Sequence, residues 1–173
     1  MTSLDHPAIS KISAALREAG MPAAADGIRI LTDDVRTAAA AAAAVGVPVG
    51  AIANSLVFRA TEGDRVFPLL ALTSGAHRAS TERLAELAGA ASVGRADPAF
   101  VREHTSQAIG GVAPVGHPRP ITTLVDNALA GYEVVWAAAG HPKAVYPTTF
   151  AELVTLTGGM AADVADGEDN PLS

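Results

Sequence analysis

Residues 110–118 are the most restrictive stretch of this 173-residue chain, because they contain three glycines and two prolines within nine positions. Glycine permits φ > 0 and a close approach of the backbone to a ligand, whereas proline stiffens the turns between glycines. The stretch follows the apolar pair Ala108-Ile109, which we interpret as the end of a buried strand. Two interpretations are open at this point. Composition alone favours a tight connection between two strands, and the alternative is a rigid cradle of backbone N–H groups for an anion or oxyanion.

The composition predicts one domain with an aliphatic core. The length is close to that of a typical single domain, and hydrophobic residues make up 49% of the chain while aromatic residues supply only 4%. The absence of cysteine excludes disulfides, thiolate chemistry and zinc sites built on cysteine. We assign residues 1–162 to the folded domain and expect the acidic residues 163–173 to form a disordered tail.

The charge of the chain argues against strong non-specific binding of nucleic acid. The formal net charge is −6, and four tail residues (Asp163, Asp166, Glu168 and Asp169) carry −4 of it, which leaves the body near −2. DNA is therefore not an expected partner, and any nucleic acid would have to bind weakly or through a few placed contacts. The N-terminus lacks the pattern of a secretory signal, and no window approaches the roughly 20 apolar residues of a membrane span. These features predict a cytoplasmic protein without a membrane partner.

Helices and hairpins alternate along the chain without a regular βαβ rhythm. Helices are predicted at 9–19, 33–45 and 80–87, after Asp97-Pro98, and from Thr149 to Gly158. Strands are predicted at 27–31, 51–60, 66–72, 121–125 and 132–138, with a hairpin turn at 62–64. This order favours an α/β fold with a mixed sheet over a doubly wound parallel one.

Several standard catalytic motifs are absent from the sequence. There is no G-x-S-x-G elbow, no phosphate-binding G-x-x-x-x-G-K-[ST] loop, no G-x-G-x-x-G and no H-E-x-x-H. The five histidines show no metal-ligand spacing. We therefore expect neither a metal nor another cofactor, and no serine triad.

Three features near strand ends could carry chemistry. Asn54 lies at the start of a predicted buried strand, where burial of its amide costs desolvation energy unless the amide is hydrogen-bonded. An ordinary asparagine at a turn or strand edge is an equally open interpretation. The second feature is the stretch of residues 110–118, which we call the glycine loop. The third is His141, which follows an apolar strand and could donate a hydrogen bond or exchange a proton, although many such histidines are simply solvated.

Taken in order, these segments resemble the YbaK and prolyl-tRNA editing family of freestanding aminoacyl-tRNA deacylases. The resemblance extends from about Asp33 to Gly158. It depends on the segments AAVGVP (43–48), IANSLVF (52–58), LTSGAHR (72–78), VGRAD (93–97), IGGVAPVG (109–116), VD (125–126), AGHP (139–142) and LVTLTG (153–158).

The resemblance implies a curved, largely antiparallel mixed sheet with flanking helices, and hydrolysis of the ester that joins a wrong amino acid to tRNA, typically the tRNA for proline. Because that ester is already reactive, positioning and oxyanion stabilisation suffice. Gly110 and Gly111 would stabilise the oxyanion, Asn54 and Ser55 would orient the terminal adenosine and the ester, and His141 would bind or relay a proton. Further substrate contacts are expected from the remaining motif residues Pro114, Gly116, Asp126 and Gly140. The implied partners are the 3′ end of aminoacyl-tRNA and prolyl-tRNA synthetase.

One position departs from the family pattern. Active relatives usually carry a lysine where this chain has Asn54, and an amide supplies hydrogen bonds but no positive charge. Two other hypotheses therefore stay open beside the deacylase. One is a catalytically silent member that binds an aminoacyl end or a related small ligand, and the other is a structural partner of a synthetase.

Overall fold

The computed structural model describes residues 4–35 and 37–165. It has six α-helices and eight strands within these residues, and the sequence analysis did not predict the helix Pro22–Asp26 or the strands Ser92–Arg95, Ala144–Thr148 and Met160–Ala162. The helices are α1 (Pro7–Glu18), α2 (Pro22–Asp26), α3 (Ala38–Val45), α4 (Thr81–Ala88), α5 (Pro98–Thr105) and α6 (Phe150–Thr157). The strands are β1 (Arg29–Ile30), β2 (Ile52–Glu62), β3 (Arg65–Ser74), β4 (Ser92–Arg95), β5 (Thr122–Asp126), β6 (Val135–Ala138), β7 (Ala144–Thr148) and β8 (Met160–Ala162).

A single mixed, mostly antiparallel sheet organises the fold, in the order β1-β7-β6-β2-β3-β5-β8. The long hairpin of β2 and β3 lies at its centre, where Glu62 pairs with Arg65 across a two-residue turn. Gly63 in that turn has φ +60, a conformation that glycine adopts without strain. The prediction of a mixed α/β fold with flanking helices is confirmed.

The edge of β2 that faces away from β3 is only partly covered. Its first residues, Ile52 and Ala53, pair in parallel with β6, and its last part from Phe58 to Thr61 pairs with β4. Residues 54–57 lie between these two pairings and have no strand partner on this edge among the residues described. The sheet therefore forks at the middle of β2. At this fork, backbone groups of a central strand have no neighbouring strand to pair with among the residues described.

The core is aliphatic, as the composition predicts, and lies on both faces of the sheet. The largest cluster joins α1, α2 and α6 to the sheet through Ile9, Ile12, Leu16 and Leu153, all fully buried. A smaller cluster packs α3 against the start of β2 through Ala41, Ala42 and Ile52. The alanines of α3 let the helix approach the strand closely, which positions its first turn beside the fork.

The predicted start of the helix at 33–45 is wrong. The helix expected from Asp33 begins at Ala38, with Thr37 as its N-cap and the Ala40 N–H donating to the Thr37 hydroxyl oxygen. The preceding residues instead run beside the 142–143 loop, where Leu31 N–H donates to Lys143 C=O and Val35 N–H to Pro142 C=O. These long-range hydrogen bonds hold 31–35 in a bent, non-helical conformation against the 142–143 loop.

Two further expectations differ from the structure. Ala108-Ile109 does not end a buried strand, because the chain there is irregular and Ile109 is 55% exposed. The boundary placed after residue 162 also lies too early. Val164 is fully buried against β3 and β5, and its carbonyl accepts a hydrogen bond from Ser80 N–H, so 163–165 belong to the folded domain. The rest of the predicted tail, 166–173, lies outside the described residues.

Candidate active site

A cavity of about 380 Å³ occupies the fork of the sheet. Its walls come from four parts of the chain: the approach to and first turns of α3, the start of β2, the glycine loop, and β6 with the following loop into β7. The lining residues are Val35, Thr37, Ala38, Ala41, Ile52–Leu56, Ile109–Val112, Trp136–Ala138, His141, Pro142, Ala144 and Val145. Asn54, Ser55, Gly110, Gly111 and His141, which the sequence analysis singled out, therefore meet in one place.

The glycine loop contributes its backbone to this cavity. Gly110 and Gly111 have φ +90 and +93, which side chains rarely tolerate. Their N–H groups have no acceptor among the residues that the structure describes. Unpaired N–H donors on a cavity wall are suited to bind a carbonyl oxygen or an oxyanion. The structure thus favours the ligand-cradle interpretation over a plain strand connection.

Gly111 also joins the loop to the histidine segment. Its carbonyl accepts a hydrogen bond of 2.9 Å from Gly140 N–H, and a Cβ atom at Gly111 would lie 2.6 Å from the carbonyl carbon of His141. The absence of a side chain at Gly111 therefore lets two loops from distant parts of the sequence touch backbone to backbone. This contact fixes His141 relative to the free N–H groups.

A side chain that the sequence analysis missed holds the glycine loop. Gln107 is 7% exposed, its side-chain oxygen accepts from Ala113 N–H at 2.8 Å, and its amide nitrogen donates to Val115 C=O at 3.0 Å. His117 Nε2–H donates to Ala113 C=O at 2.9 Å, and burial lowers the pKa of the His117 ring. Gln107 follows Thr105 and Ser106 in a polar segment, and only the structure shows that its amide is buried and needs partners.

We expect Gln107→Leu to lower kcat for any reaction that uses the Gly110 and Gly111 N–H groups, by about 10- to 100-fold. The leucine leaves the Ala113 N–H and the Val115 C=O unpaired, at about 1–3 kcal/mol each, so the melting temperature also falls. Gln107→Glu is the matched control, since it still accepts from Ala113 but cannot donate to Val115, and its effect should be intermediate. A lower melting temperature with unchanged kcat would show that Gln107 only stabilises the fold.

The tautomer of His141 follows from its hydrogen bond. Lys143 N–H donates to His141 Nδ1 at 3.0 Å, so the neutral ring carries its proton on Nε2. Burial lowers the pKa of His141, and the neighbouring His6 and Lys143 act in the same direction against the opposing effect of Asp34. The His6 ring meets it edge-on with centroids 4.8 Å apart. At neutral pH His141 is thus an Nε2–H donor at the cavity wall.

Asn54 and Ser55 lie side by side on the wall but differ in environment. Successive residues of a strand point to opposite faces, and Asn54 is exposed while Ser55 is half-buried. The Ser55 hydroxyl oxygen is buried without a hydrogen-bond partner in the described part of the chain. Such a hydroxyl costs free energy unless a ligand or water pairs with it. Because this oxygen is buried, a ligand in the cavity reaches it only if the wall around it moves.

Four residues expected to bind substrate lie outside the cavity. Pro114 and Gly116 border a separate groove of about 340 Å³ near the end of α6. Gly116 and Gly140 both pack against Ile12 of α1, where a Cβ atom would come within 2.9 and 2.8 Å of its side chain. Small size at these two glycines serves helix packing.

Asp126 is the fourth residue that was expected to bind substrate, and its carboxylate is used for hydrogen bonds within the fold. It is 1% exposed, and its carboxylate accepts from Ser74 N–H, Ala128 N–H and His77 Nδ1, each at 3.0 Å. These bonds tie the end of β5 to the end of β3. The structure gives the carboxylate no access to the cavity, so the sequence motif marked a structural residue at this position.

Within the described ranges, no group of three or more metal-ligating His, Asp or Glu side chains is present. In the same ranges, no helix has the length and apolar character to cross a membrane.

A family profile of the aminoacyl-tRNA editing domain matches residues 32–156, a range that contains the whole cavity wall. The protein belongs to this family. This editing domain is also similar to solved structures over nearly its whole length. One is a candidate trans-editing enzyme for prolyl tRNA synthetase, with 38% identity and a TM-score of 0.83 over 94% of this chain and 99% of the other.

Two more neighbours support the same fold. A scaffold protein used in computational epitope grafting shares 37% identity and a TM-score of 0.84, covering 93% of this chain and 99% of its own. A hypothetical protein shares 28% identity and a TM-score of 0.77, covering 90% and 99%. The matched range of the editing domain begins after α1 and α2, so His6 and the helix that packs on Gly116 and Gly140 precede it.

Proposed function

We propose that this editing domain hydrolyses the ester of a misacylated tRNA that carries a small non-cognate amino acid, with the tRNA for proline as the expected carrier. The observation that carries the proposal is the pair of unpaired N–H groups at Gly110 and Gly111 in the cavity that Asn54, Ser55 and His141 share. Preorganised backbone donors stabilise the negative charge that develops on an ester oxygen during attack. The 38% identical candidate trans-editing enzyme supports the choice of prolyl-tRNA.

The proposed reaction needs no protein nucleophile. Water adds to the ester carbonyl carbon, the carbonyl oxygen becomes an oxyanion held by the glycine N–H groups, and the bond to the ribose oxygen then breaks. One proton of the water ends on the departing ribose oxygen, and the released acid gives up the other to solvent and leaves as a carboxylate. His141 supports this sequence as a neutral Nε2–H donor that orients the ester or the attacking water. Asn54 orients the terminal ribose.

Small residues line the part of the cavity where the amino acid would lie. Ala53, Ala137 and Ala144 are each buried, and Val112 closes the wall beneath the glycine loop. Such walls select by size, admitting a small side chain and rejecting a larger one, as in the second sieve of editing systems.

A second candidate is a silent member that binds the aminoacyl end without cleaving it. The observation that favours it is Asn54, which places a neutral amide on the wall where active relatives usually carry a lysine. The free glycine N–H groups suit both candidates, because they can bind the ester carbonyl oxygen of a substrate as well as the oxyanion formed from it.

The deciding experiment is deacylation of tRNA for proline charged with alanine, cysteine, serine, threonine or 2-aminobutyrate. The wild type is compared with Asn54→Ala and Asn54→Lys. We expect the wild type to release one of the small amino acids, and Asn54→Ala to be slower by about tenfold or more. Release by Asn54→Lys alone would support the silent binder, and failure of all three proteins on every substrate would rule out the deacylase. Pull-down of prolyl-tRNA synthetase tests the proposed partnership separately.

A further inference from the structure

Trp136 is the single tryptophan of the chain, and the proposed chemistry leaves it without a role. It lies on β6 opposite Ile52, is half-buried, and contributes to the cavity wall. The Arg29 guanidinium lies over its ring, 5.7 Å from the centroid. Arg29 is an exposed residue of the edge strand β1, so its side chain can move without disturbing the core. The guanidinium, which is not itself among the lining residues, thus lies over a ring that contributes to the cavity wall.

The substrate class supplies a matching group. The ester of an aminoacyl-tRNA is joined to the terminal adenosine, so a cavity that holds the ester at Gly110 and Gly111 also has to accommodate or exclude an adenine nearby. Unstacked bases bind preferentially to aromatic side chains and to the planar face of arginine. The volume of about 380 Å³ exceeds the needs of one small amino acid and falls in the range of pockets that take larger ligands.

We propose that Trp136 and Arg29 form the binding site of the terminal adenine, with the base stacked on the indole and the guanidinium closing over it. This inference rests on the proposed function for the identity of the substrate. The adenine then lies on one side of the ester and the small-residue walls on the other. The site therefore contacts the groups on both sides of the bond that is cleaved.

Trp136 also packs against Ile52 and the alanines of α3, and a purely structural role must be separated from base binding. Val45 belongs to the same cluster but does not line the cavity, so Val45→Ala is the matched control for lost packing. Trp136→Phe keeps an aromatic face and Trp136→Leu removes it. Arg29→Lys keeps the positive charge and removes the planar guanidinium.

The first measurement uses the fluorescence of Trp136, the single tryptophan of the wild-type protein. We expect the trinucleotide CCA to change its emission in a saturable manner and the trinucleotide CCU to bind several-fold more weakly. In Arg29→Lys, the affinity for CCA should fall several-fold. Equal responses to CCA and CCU would overturn the proposal, because the site would then not recognise adenine.

The second measurement is deacylation kinetics. We expect Trp136→Leu to raise KM by about 5- to 150-fold with little change in kcat, Trp136→Phe to retain most of the affinity, and Val45→Ala to leave KM unchanged. An active wild type with an unchanged KM in Trp136→Leu would overturn the adenine site and leave the deacylase standing. A wild type that cleaves no tRNA but prefers CCA to CCU would remove the proposed function while supporting the adenine site.

Discussion

Gly111→Ala should reduce deacylation by about 10²- to 10³-fold, the range expected when an oxyanion-stabilising donor is displaced. The added Cβ would lie 2.6 Å from the carbonyl carbon and 2.8 Å from the carbonyl oxygen of His141, and both are backbone atoms that cannot rotate away. The loop must therefore move, and its hydrogen bond from Gly140 N–H is strained or broken. Measurement of kcat and KM on the preferred charged tRNA checks this expectation.

Gly110→Ala is the matched control for this change. Gly110 has nearly the same backbone conformation, φ +90 against +93, but a Cβ atom there meets nothing within 4 Å. Both variants carry the cost of placing alanine at positive φ, about 1–3 kcal/mol, and only Gly111→Ala adds the collision. We expect Gly110→Ala to lose stability with a much smaller fall in kcat. Equal losses of kcat in the two variants would show that contact between the loops does not position the site.

Asp126→Ala should destabilise the fold by about 3–5 kcal/mol, because it removes the acceptor of the buried Ser74 N–H and one partner of the half-buried Ala128 N–H and His77 ring. For a domain of this length, such a loss lowers the melting temperature by on the order of 10 °C. Thermal unfolding followed by circular dichroism measures it. Below the transition, KM should remain close to the wild-type value, because Asp126 lies outside the cavity.

Asn127→Ala provides the neighbouring control. Asn127 is exposed and donates to Asp163 at 3.1 Å across the surface, so its loss should change stability by less than about 1 kcal/mol. The sequence analysis placed Asp126 among the substrate-binding residues. A raised KM with an unchanged melting temperature in Asp126→Ala would restore that assignment and contradict a purely structural role for the carboxylate.

Sequence reasoning succeeded where the deciding interactions are local. Ser80, Asp97 and Thr149 cap their helices by accepting hydrogen bonds from N–H groups three residues ahead, as these residue types favour at a helix start. The hairpin turn at 62–64 is equally local. Sequence reasoning failed where hydrogen bonds to a distant segment override the local preference of the chain. Asp33 and Asp34 suit the start of a helix, but hydrogen bonds to the 142–143 loop hold 31–35 in a non-helical conformation.

The site residues predicted from the sequence also fall into two groups, those that line the cavity and those that serve packing. Residue types and motif order were sufficient to predict the editing family and the residues Asn54, Ser55, Gly110, Gly111 and His141, which the structure brings to one cavity. The same motifs also contained Gly116, Gly140 and Asp126, whose positions serve helix packing and strand anchoring. A motif marks a constrained position without distinguishing a ligand contact from a packing contact, because both restrict the residue type.

The amino-acid sequence by itself determined the aliphatic core, the caps and turns of the elements, and the family of the chain. Only the tertiary structure decided where the cavity lies, because the fork arises from the pairing of β2 with β6 at one end and β4 at the other. It also decided that Gly111 touches His141 and that Gln107 and Trp136 belong beside the site. These contacts join residues far apart in the chain, and their geometry follows from packing the whole sheet rather than from any local pattern.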